Sequence, residues 1–532
     1  MNPVLDIAVA ALVALSGAPA DTVLLYDDLG DHHYAISTDQ PLAQQYFDQG
    51  LRLTWAFNHA EAIRAYEQAA RIDPDCAICW WGVAFSYGPN INAPMDSTAG
   101  VAAWNAIQRA TQLKSHASER EAALIDALAT RYAAVPPVER AALDSAYARA
   151  MSAVADRFPD DHETAVVAAD AIMNLSPWNY WTPDGQQRPE TGRLLSLLET
   201  VVAANPNHPG ACHLYIHAVE AAEPAKAVPC AERLAGLMPG AGHIVHMPAH
   251  IYIRVGRYNE AIESNIHAVH TDETYIQDVG PAANIYPMFY YPHNYHFLAF
   301  ASTFAGRGEM ALDSARKTAE NVDHGMARMF GPEAARMLAH PHLTLIAFGR
   351  WEDALAEPAP PADIRFAAGL VHYSRGVANA ALENWDAAAA ELDSVRQIAG
   401  EYTADWPSTV MQIATHALLG DIDFRRGEYE SAIGHYRAAV ELEDGLRYTE
   451  PAYWNKPVRH ELGAALLAAG DAAGAEQIYR ENLEKFPANG WGLFGLAASL
   501  DAQGKTAEAA EVRAQLDAAW SEADVTLTGS RM

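Results

Sequence analysis

The pattern of small, aromatic and polar residues along the chain predicts helices throughout. No segment alternates hydrophobic and polar residues over a sustained length, so β-strands are expected to be incidental at most. Residues 46–75 (YFDQGLRLTWAFNHAEAIRAYEQAARIDPD) instead predict a helix, a turn and a second helix. Small residues stand where the two helices would cross closely, Tyr66 stands where a ring would fill the space between hairpins, and Pro74 ends the second helix.

The same arrangement recurs along the chain. The stretch RVGRYNEAIESN (254–265) sets a repeat start at Gly242, which lies 34 residues after a repeat start at His208. Further starts fall near Ala77, after Pro159, and at or near Pro292, Ala335, Gly369, Ile413, Lys456 and Gly490. The spacing is irregular, since 50 residues separate Gly242 from Pro292, and this interval predicts one insertion of about 16 residues.

These anchors resemble the tetratricopeptide-repeat (TPR) family, in its exported bacterial form. In the first hairpin, Gly50, Ala62, Tyr66, Ala69 and Pro74 match the small, small, aromatic, small and proline positions of that repeat. The resemblance covers nearly all of residues 42–520. It implies an all-α protein, an α-α superhelical solenoid of TPR-like helical hairpins.

Irregular segments divide this array into two parts. Residues 88–95, 176–185 and 270–294 are rich in proline or aromatic residues and do not follow the repeat. We therefore expect an irregular TPR array with aromatic insertions over residues 42–300 and a regular array over 301–520. The distinctive function is expected in the first part.

Five histidines fall on positions that the resemblance assigns to the concave groove. In TPR arrays the second, fifth, ninth, twelfth and thirteenth residues of a repeat's first helix line that surface. The histidines are His243, His246 and His250 in one repeat and His293 and His296 in the next. Imidazoles one helical turn apart on one face can reach a common metal ion.

The preceding repeat offers further candidate ligands. His213, His217 and Glu220 form a stripe along one helix face, although by strict register only Glu220 faces the groove. A rotation of the helix would bring all three into it. Pro248 complicates the histidine-bearing helix, because proline inside a helix costs about 3 kcal/mol. If the helix began only after Pro248, then His243 and His246 would lie in a loop.

Imidazoles with a nearby carboxylate suit Zn, Cu or Fe ions rather than Ca²⁺ or Mg²⁺, which prefer oxygen ligands. The number of histidines exceeds one tetrahedral shell, so either two metal ions or one ion with outer supporting histidines is expected. Residues 270–294 are expected to break the helix. They would then either cover the site as a lid or fill a joint between repeats.

Charge and motifs limit the function classes. With 36 Lys and Arg against 67 Asp and Glu, the net charge is −31, which disfavours nucleic acid and anionic membrane surfaces. No Walker A, G-x-S-x-G or H-E-x-x-H motif is present. Two functions stay open. One is a metalloenzyme acting on a small molecule in the groove, and the other is a non-catalytic scaffold binding a partner protein or peptide there.

The N-terminal residues of the sequence suggest export. Residues 1–20 combine an apolar run with an A-x-A pattern at Ala18–Ala20, which predicts a signal peptide, although no basic residue precedes the run. We expect a periplasmic or secreted protein, and otherwise a cytoplasmic one, without an integral membrane segment after signal removal. Residues 21–41 would form an extension before the repeats, and residues 521–532 a disordered tail.

The four cysteines are Cys76, Cys79, Cys212 and Cys230, an even number that suits an exported protein. Cys212 and Cys230 fall on successive predicted helices, where a bridge is geometrically possible. Disulfides or buried thiols are favoured over redox catalysis or a zinc site, since no second C-x-x-C accompanies Cys76 and Cys79. The pairing stays open at the sequence level.

Overall fold

A computed structural model describes residues 23–279 and 285–532, and within these ranges the chain is all-α. The only β-type pairings there are two isolated bridges, Asn90 with Ala93 and Trp181 with Gln187. The predicted fold class is therefore confirmed. The predicted signal peptide, residues 1–20, lies outside the described residues.

The helices of the first half are α1 Pro41–Trp55, α2 His59–Ile72, α3 Ala77–Tyr87, α4 Ser97–Gln112, α5 Glu119–Ala129, α6 Ala141–Arg157, α7 His162–Met173, α8 Thr191–Ala204, α9 Pro209–Val219, α10 Val228–Leu237, α11 Gly242–His246, α12 Pro248–Arg254 and α13 Tyr258–Val279. Short 3₁₀ turns span Lys114–His116 and Pro224–Ala227.

The helices that follow are α14 Ile285–Ala305, α15 Gly308–Asn321, α16 His324–Phe330, α17 Pro332–Leu338, α18 His340–Ala347, α19 Trp351–Ala356, α20 Arg365–Ala381, α21 Trp385–Ala399, α22 Asp405–Arg425, α23 Tyr429–Asp444, α24 Arg459–Ala468, α25 Ala472–Lys485, α26 Gly490–Ala502 and α27 Thr506–Ala519.

Two compact units emerge from the contacts among these helices. The first contains the described residues of Met1–Ile251 and His267–Pro287, and the second those of Tyr252–Ile266 and Met288–Met532. The sequence alone placed one boundary at residue 300. The observed division is discontinuous, because α12, α13 and α14 each contribute residues to both units.

Within each unit, helices stack as successive hairpins. In the first unit α1 packs against α2 and α3, and α7 packs against α8 and α9. In the second, α20 packs against α21 and α22, and α24 against α25 and α26. A helix that contacts both the next helix and the one after it is typical of a solenoid of hairpins.

Buried tyrosines held between glycines set the spacing of these hairpins. Tyr66 is fully buried, and a Cβ added at either Gly50 or Gly82 would come within 3.0 Å of its ring. Tyr479 is enclosed in the same way by Gly463 and Gly495. The sequence pattern of small and aromatic positions thus corresponds to direct ring-on-backbone contact.

The segments outside the repeats also take defined paths. Residues 23–40 precede α1 without helix and are fastened to it, for example by the Tyr46 hydroxyl, which donates to the Val23 carbonyl at 2.8 Å. Residues 521–532, expected to be a disordered tail, lie instead against the helices of the second unit. None of the described helices is both long and apolar enough to cross a membrane.

The expectation that residues 270–294 break the helix is wrong for the part that the structure describes. Helix α13 continues through Val279, and α14 already begins at Ile285. Proline is tolerated in the first turn of a helix, where Pro287 stands, while Pro292 lies inside α14. Residues 280–284, the centre of the proposed lid, lie outside the described residues.

All four cysteines are paired. A disulfide joins Cys76 to Cys79, and a second joins Cys212 of α9 to Cys230 of α10. The second bridge is the one that the sequence indicated as geometrically possible.

The glycine contacts predict opposite effects for two substitutions in one hairpin. A Cβ at Gly420 would lie 2.7 Å from the buried Tyr436 ring, whereas at Gly434, in the next helix, it would meet nothing within 4 Å. Gly420→Ala should lower the free energy of unfolding by about 1–3 kcal/mol through overpacking. Gly434→Ala should raise it by about 0.5–1 kcal/mol through helix propensity. Denaturant unfolding measures both, and a Gly420→Ala protein as stable as the wild type would contradict the packing argument.

Candidate metal centre

Helix α9 presents two buried histidines on one face. Its first turn is fixed by Pro209 and by the His208 side chain, which accepts the Ala211 N–H. His213 and His217 lie one turn apart further along, 0% and 2% exposed. The His213 Nδ1 atom is 2.6 Å from the carbonyl oxygen of Trp55. Because a carbonyl only accepts, the proton lies on Nδ1, and Nε2 carries the lone pair that a metal needs.

The contact between α1 and α9 that allows this bond depends on a glycine. A Cβ at Gly210 would come within 3.0 Å of the Trp55 ring, so the ring packs directly on the backbone of α9. The indole N–H of Trp55 donates to Glu163 at 2.7 Å. Trp55 is therefore held from both sides while its carbonyl orients His213.

The Glu220 carboxylate orients two further imidazoles. Its Oε1 atom accepts from His217 Nδ1 at 2.8 Å, and its Oε2 atom accepts from His250 Nδ1 at 2.9 Å. Both histidines thus turn Nε2 away from the carboxylate. A carboxylate on the far nitrogen of an imidazole is the usual support of a metal-binding histidine, since it fixes the tautomer and raises the basicity of the ligand.

Pro248 does not displace the histidines. Helix α11 begins at Gly242 as predicted, breaks at Met247, and resumes with Pro248 in the first turn of α12. His246 and His250 therefore stay on one face, with their Nε2 atoms 2.7 Å apart.

A tyrosine and an aspartate fix the start of α11. The backbone N–H of His243 donates to the Tyr286 hydroxyl at 2.9 Å, and that hydroxyl donates to Asp272 Oδ1 at 3.1 Å. A Cβ at Gly242 would collide with the Asp272 carboxylate, so glycine is required there. These contacts fix the position of the His243 backbone and therefore of its ring.

The Nε2 atoms of His213 and His243 are 3.1 Å apart, and one ligand atom each of His213, His217 and His243 lies within 4.8 Å of the others. Two nitrogens that are each about 2.0–2.1 Å from a tetrahedral Zn²⁺ lie about 3.3 Å from one another. The spacing of the His213 and His243 nitrogens is therefore close to that of two zinc ligands, and the ligand atom of His217 lies within 4.8 Å of both.

Burial keeps these imidazoles neutral. It lowers the pKa of His213 and of His243 well below the usual value, and neighbouring imidazoles lower both further. Burial also lowers the pKa of His217, against the opposing effect of its hydrogen bond to Glu220. Neutral imidazole is the form that binds a metal ion.

Two aromatic residues in unusual backbone conformations enclose His217. The Phe57 ring stacks parallel to it at 6.3 Å, and the Trp178 ring meets it edge-on at 4.8 Å. Both residues have positive φ, 56° for Phe57 and 63° for Trp178. A non-glycine residue held in this region costs about 1–3 kcal/mol, and such strain concentrates at functional sites.

The eight sequence-predicted residues divide between the two units. Six of them form the cluster in the first unit, and none of the six is more than 2% exposed: His213, His217, Glu220, His243, His246 and His250. The other two lie on α14 in the second unit. There the His293 ring contacts Phe297 at 5.0 Å and the His296 ring contacts His340 at 4.6 Å.

A second group of possible ligands, His32, Glu163 and His208, is better explained by hydrogen bonding. His208 Nδ1 accepts the Ala211 N–H, so the proton of the neutral ring lies on Nε2, which faces Glu163 at 3.2 Å. His32 Nε2 is 2.8 Å from the same carboxylate. These contacts hold the pKa of Glu163 well below its usual value despite burial.

Sequence reasoning missed the residues that support the cluster. Trp55 acts through its backbone carbonyl oxygen, and every residue type has such an oxygen, so the sequence does not mark this role. Phe57 and Trp178 could have been suspected, because each is a bulky residue within a predicted turn or irregular segment. Asp272 and Tyr286 fall in or beside a segment interpreted as an insertion, and nothing in their spacing indicated a bond to the backbone of His243.

No protein-family model matches the sequence, and no curated protein matches it. Among solved structures, the APC/C hetero-tetramer Cut9–Hcn1 aligns at 12% identity and a TM-score of 0.33, covering 91% of this chain and 77% of that chain. The human IFIT1 dimer with m7Gppp-AAAA aligns at 11% identity and 0.32, covering 90% of both chains. Yeast Tom70 aligns at 12% and 0.26, covering 90% and 91%. TM-scores this low establish neither a shared family nor a shared function.

Within the residues that the structure describes, the chain is an all-α protein of successive helical hairpins. Its first unit contains a buried cluster of five imidazoles and one carboxylate.

The hydrogen bonds predict which nitrogen of four histidine rings carries the proton. In metal-free protein at neutral pH, nitrogen NMR of ¹⁵N-histidine-labelled chains should show His213, His217 and His250 protonated at Nδ1, because their partners accept only. His208 provides the internal contrast and should be protonated at Nε2. Assignment follows from single His→Gln variants. A His213 signal with the proton on Nε2, or with two protons, would contradict the described geometry.

Proposed function

We propose that the first unit binds a transition-metal ion of the Zn, Cu or Fe type through Nε2 of His213, His217 and His243. The single observation that carries the proposal is the convergence of three buried nitrogens from α9 and α11, with the tautomers of His213 and His217 set by donation through the opposite nitrogen.

Three neutral imidazoles leave one position of a tetrahedral shell open. This is the ligand count of catalytic rather than structural zinc sites. An ion held there would act as a Lewis acid and lower the pKa of a coordinated water. The chain itself supplies the orientation of the ligands, through Trp55 and Glu220, and a wall against solvent, through Phe57 and Trp178.

His246 and His250 are proposed as supporting residues of the same centre. Glu220 connects His250 to His217 through its two oxygens, so both rings share one orienting carboxylate. His293 and His296, which the sequence also indicated, belong to the second unit and stay proposed ligands. A small-molecule reaction at this centre is likewise a proposal.

Export is proposed together with the metal centre. Two disulfides suit an oxidising compartment such as the periplasm or the extracellular space. Expression with and without residues 1–20, followed by fractionation, tests this: the full chain should be found outside the cytoplasm and the shortened chain should not.

The metal proposal is tested on untagged full-length protein loaded with Zn²⁺ and dialysed. Elemental analysis should find one ion per chain in the wild type and none in His213→Ala, which removes a ligand. Glu220→Gln, which keeps all ligands but loses one of the two accepting oxygens and the negative charge, should weaken Zn²⁺ binding about 10–100-fold. Bound Zn²⁺ should raise the melting temperature of the wild type, because only the folded state offers the site.

His116→Ala is the matched control, since His116 is exposed and far from the cluster in sequence; its Zn²⁺ content should equal that of the wild type. Circular dichroism establishes that each variant is folded. A wild-type protein that takes up no Zn²⁺, Cu²⁺ or Fe²⁺ would refute the metal centre and favour the non-catalytic scaffold. So would a folded His213→Ala protein that binds as well as the wild type.

A further inference from the structure

Residues 521–532 (SEADVTLTGSRM) cross the second unit without helix or strand, through several bends. From Glu522 to Gly529 the residues alternate between exposed and partly buried, so one side of the segment lies on the surface of the unit. Val525 and Leu527 pack against the small cluster that contains Phe348 and Trp491. The segment forms no helix and is held by side-chain anchors together with backbone contacts, among them the Asp524 N–H, which donates to the Gly306 carbonyl oxygen at 3.1 Å.

The first anchor is Asp524. Its carboxylate accepts the backbone N–H of Gly308 at 2.5 Å and of Glu309 at 3.2 Å, at the beginning of α15. A carboxylate there satisfies backbone donors that the helix cannot pair and is favoured by the helix dipole. This anchor lies apart from the second one in sequence and involves a different helix.

The second anchor is a surface that we name the arginine groove, formed by Asp421, Phe424, Tyr436, His460 and Tyr479 of α22, α23, α24 and α25. Arg531 pairs with Asp421, donates to the Tyr436 hydroxyl at 3.2 Å, and stacks over the Phe424 ring at 4.1 Å. Charge, hydrogen bonding and stacking on a ring together select a guanidinium rather than an ammonium group.

The neighbouring residue is recognised as well. The Ser530 hydroxyl lies 2.5 Å from the Tyr479 hydroxyl and donates to the His460 carbonyl oxygen at 3.0 Å. Ser530 is buried, and both of its partners belong to the hairpin of α24 and α25. The groove therefore favours a small hydroxyl residue directly before the arginine.

The groove has an electrostatic requirement for this occupant. Asp421 is only 4% exposed, and its other oxygen already pairs with Arg425 at 2.9 Å. Removing one partner from a buried charge network leaves a charge without its full compensation, which is costly. An arginine from another chain would satisfy Asp421 equally well.

Space remains beside Arg531. A cavity of about 50 Å³ adjoins it, lined in part by Trp351, Tyr373, Trp454 and Glu461. The segment therefore does not fill the groove, and an occupant with a larger side chain next to the arginine would bury more surface there.

We propose that the arginine groove is a peptide-recognition site, and that residues 521–532 are its intramolecular occupant. The partner is a protein with an extended segment in which a small hydroxyl residue precedes an arginine, and it binds by displacing residues 521–532. Displacement leaves the helices intact, because the segment contributes side-chain anchors and no helix to the fold. This site is separate from the metal centre and does not depend on it.

The test uses full-length wild type and Arg531→Ala, with a fluorescent peptide of residues 521–532 as the probe. The intramolecular segment competes at a high effective concentration in the wild type. The probe should therefore bind Arg531→Ala about tenfold or more tightly than the wild type. A probe that itself carries Arg531→Ala should bind neither protein, and Arg513→Ala, which alters an exposed arginine of α27, should behave as the wild type.

Hydrogen exchange supplies the second measurement. The Asp524 amide, which donates to the Gly306 carbonyl oxygen at 3.1 Å, should exchange faster in Arg531→Ala than in the wild type, while the amides of α22–α25 keep their protection. If α22–α25 lose protection in Arg531→Ala, the measurement is repeated with Asp524→Ala. That variant loosens the segment without changing a residue of the arginine groove. Equal probe binding by the wild type and a folded variant with a released segment would overturn the proposal. So would a segment that stays protected in both variants.

Discussion

The packing of the Trp55 ring on the backbone of Gly210 is the contact on which the histidine cluster depends. It joins the end of α1 to the beginning of α9, two helices far apart in sequence. Only at this distance can the Trp55 carbonyl reach His213, and only then does His213 turn its other nitrogen toward His243. A side chain larger than hydrogen at residue 210 would separate the helices and remove the constraint on the imidazole.

Burying five imidazoles costs free energy unless their polar atoms find partners. The cluster provides these partners without a buried positive charge. Each ring that donates through Nδ1 does so to a carbonyl or to Glu220, so neutral rings satisfy their partners. Glu220 in turn gains two donors in surroundings that would otherwise penalise its charge. The cluster is thus coherent as a set of neutral ligands around one shared carboxylate, and a protonated ring would disrupt it.

The sequence predicted the fold and most of the cluster because both follow from helical periodicity. Gly50 and Tyr66 set the hairpin register, and that register placed His243, His246 and His250 on one face with a helix start at Gly242, as the structure has it. His213 and His217 were candidates only on the condition that their helix rotates, since strict register turned both away from the groove. Their place in the cluster depends on Gly210 and Trp55, a contact between residues over 150 positions apart that no local pattern encodes. The path of residues 521–532 was not predicted either, because the residues that hold it, such as Asp421 and Tyr479, are distant along the chain.

The disulfide between Cys212 and Cys230 has a consequence for metal selectivity. Cys212 lies on α9, the helix that also carries His213 and His217, so a reduced chain would offer a thiol on the helix that carries two of the proposed ligands. Thiolates are softer ligands than imidazoles and compete well for zinc and for monovalent copper. At the proposed metal centre, oxidation would take both sulfur atoms out of this competition and leave nitrogen ligands alone. The order of maturation therefore matters: a chain oxidised before it meets metal offers a different set of ligands from one that meets metal first.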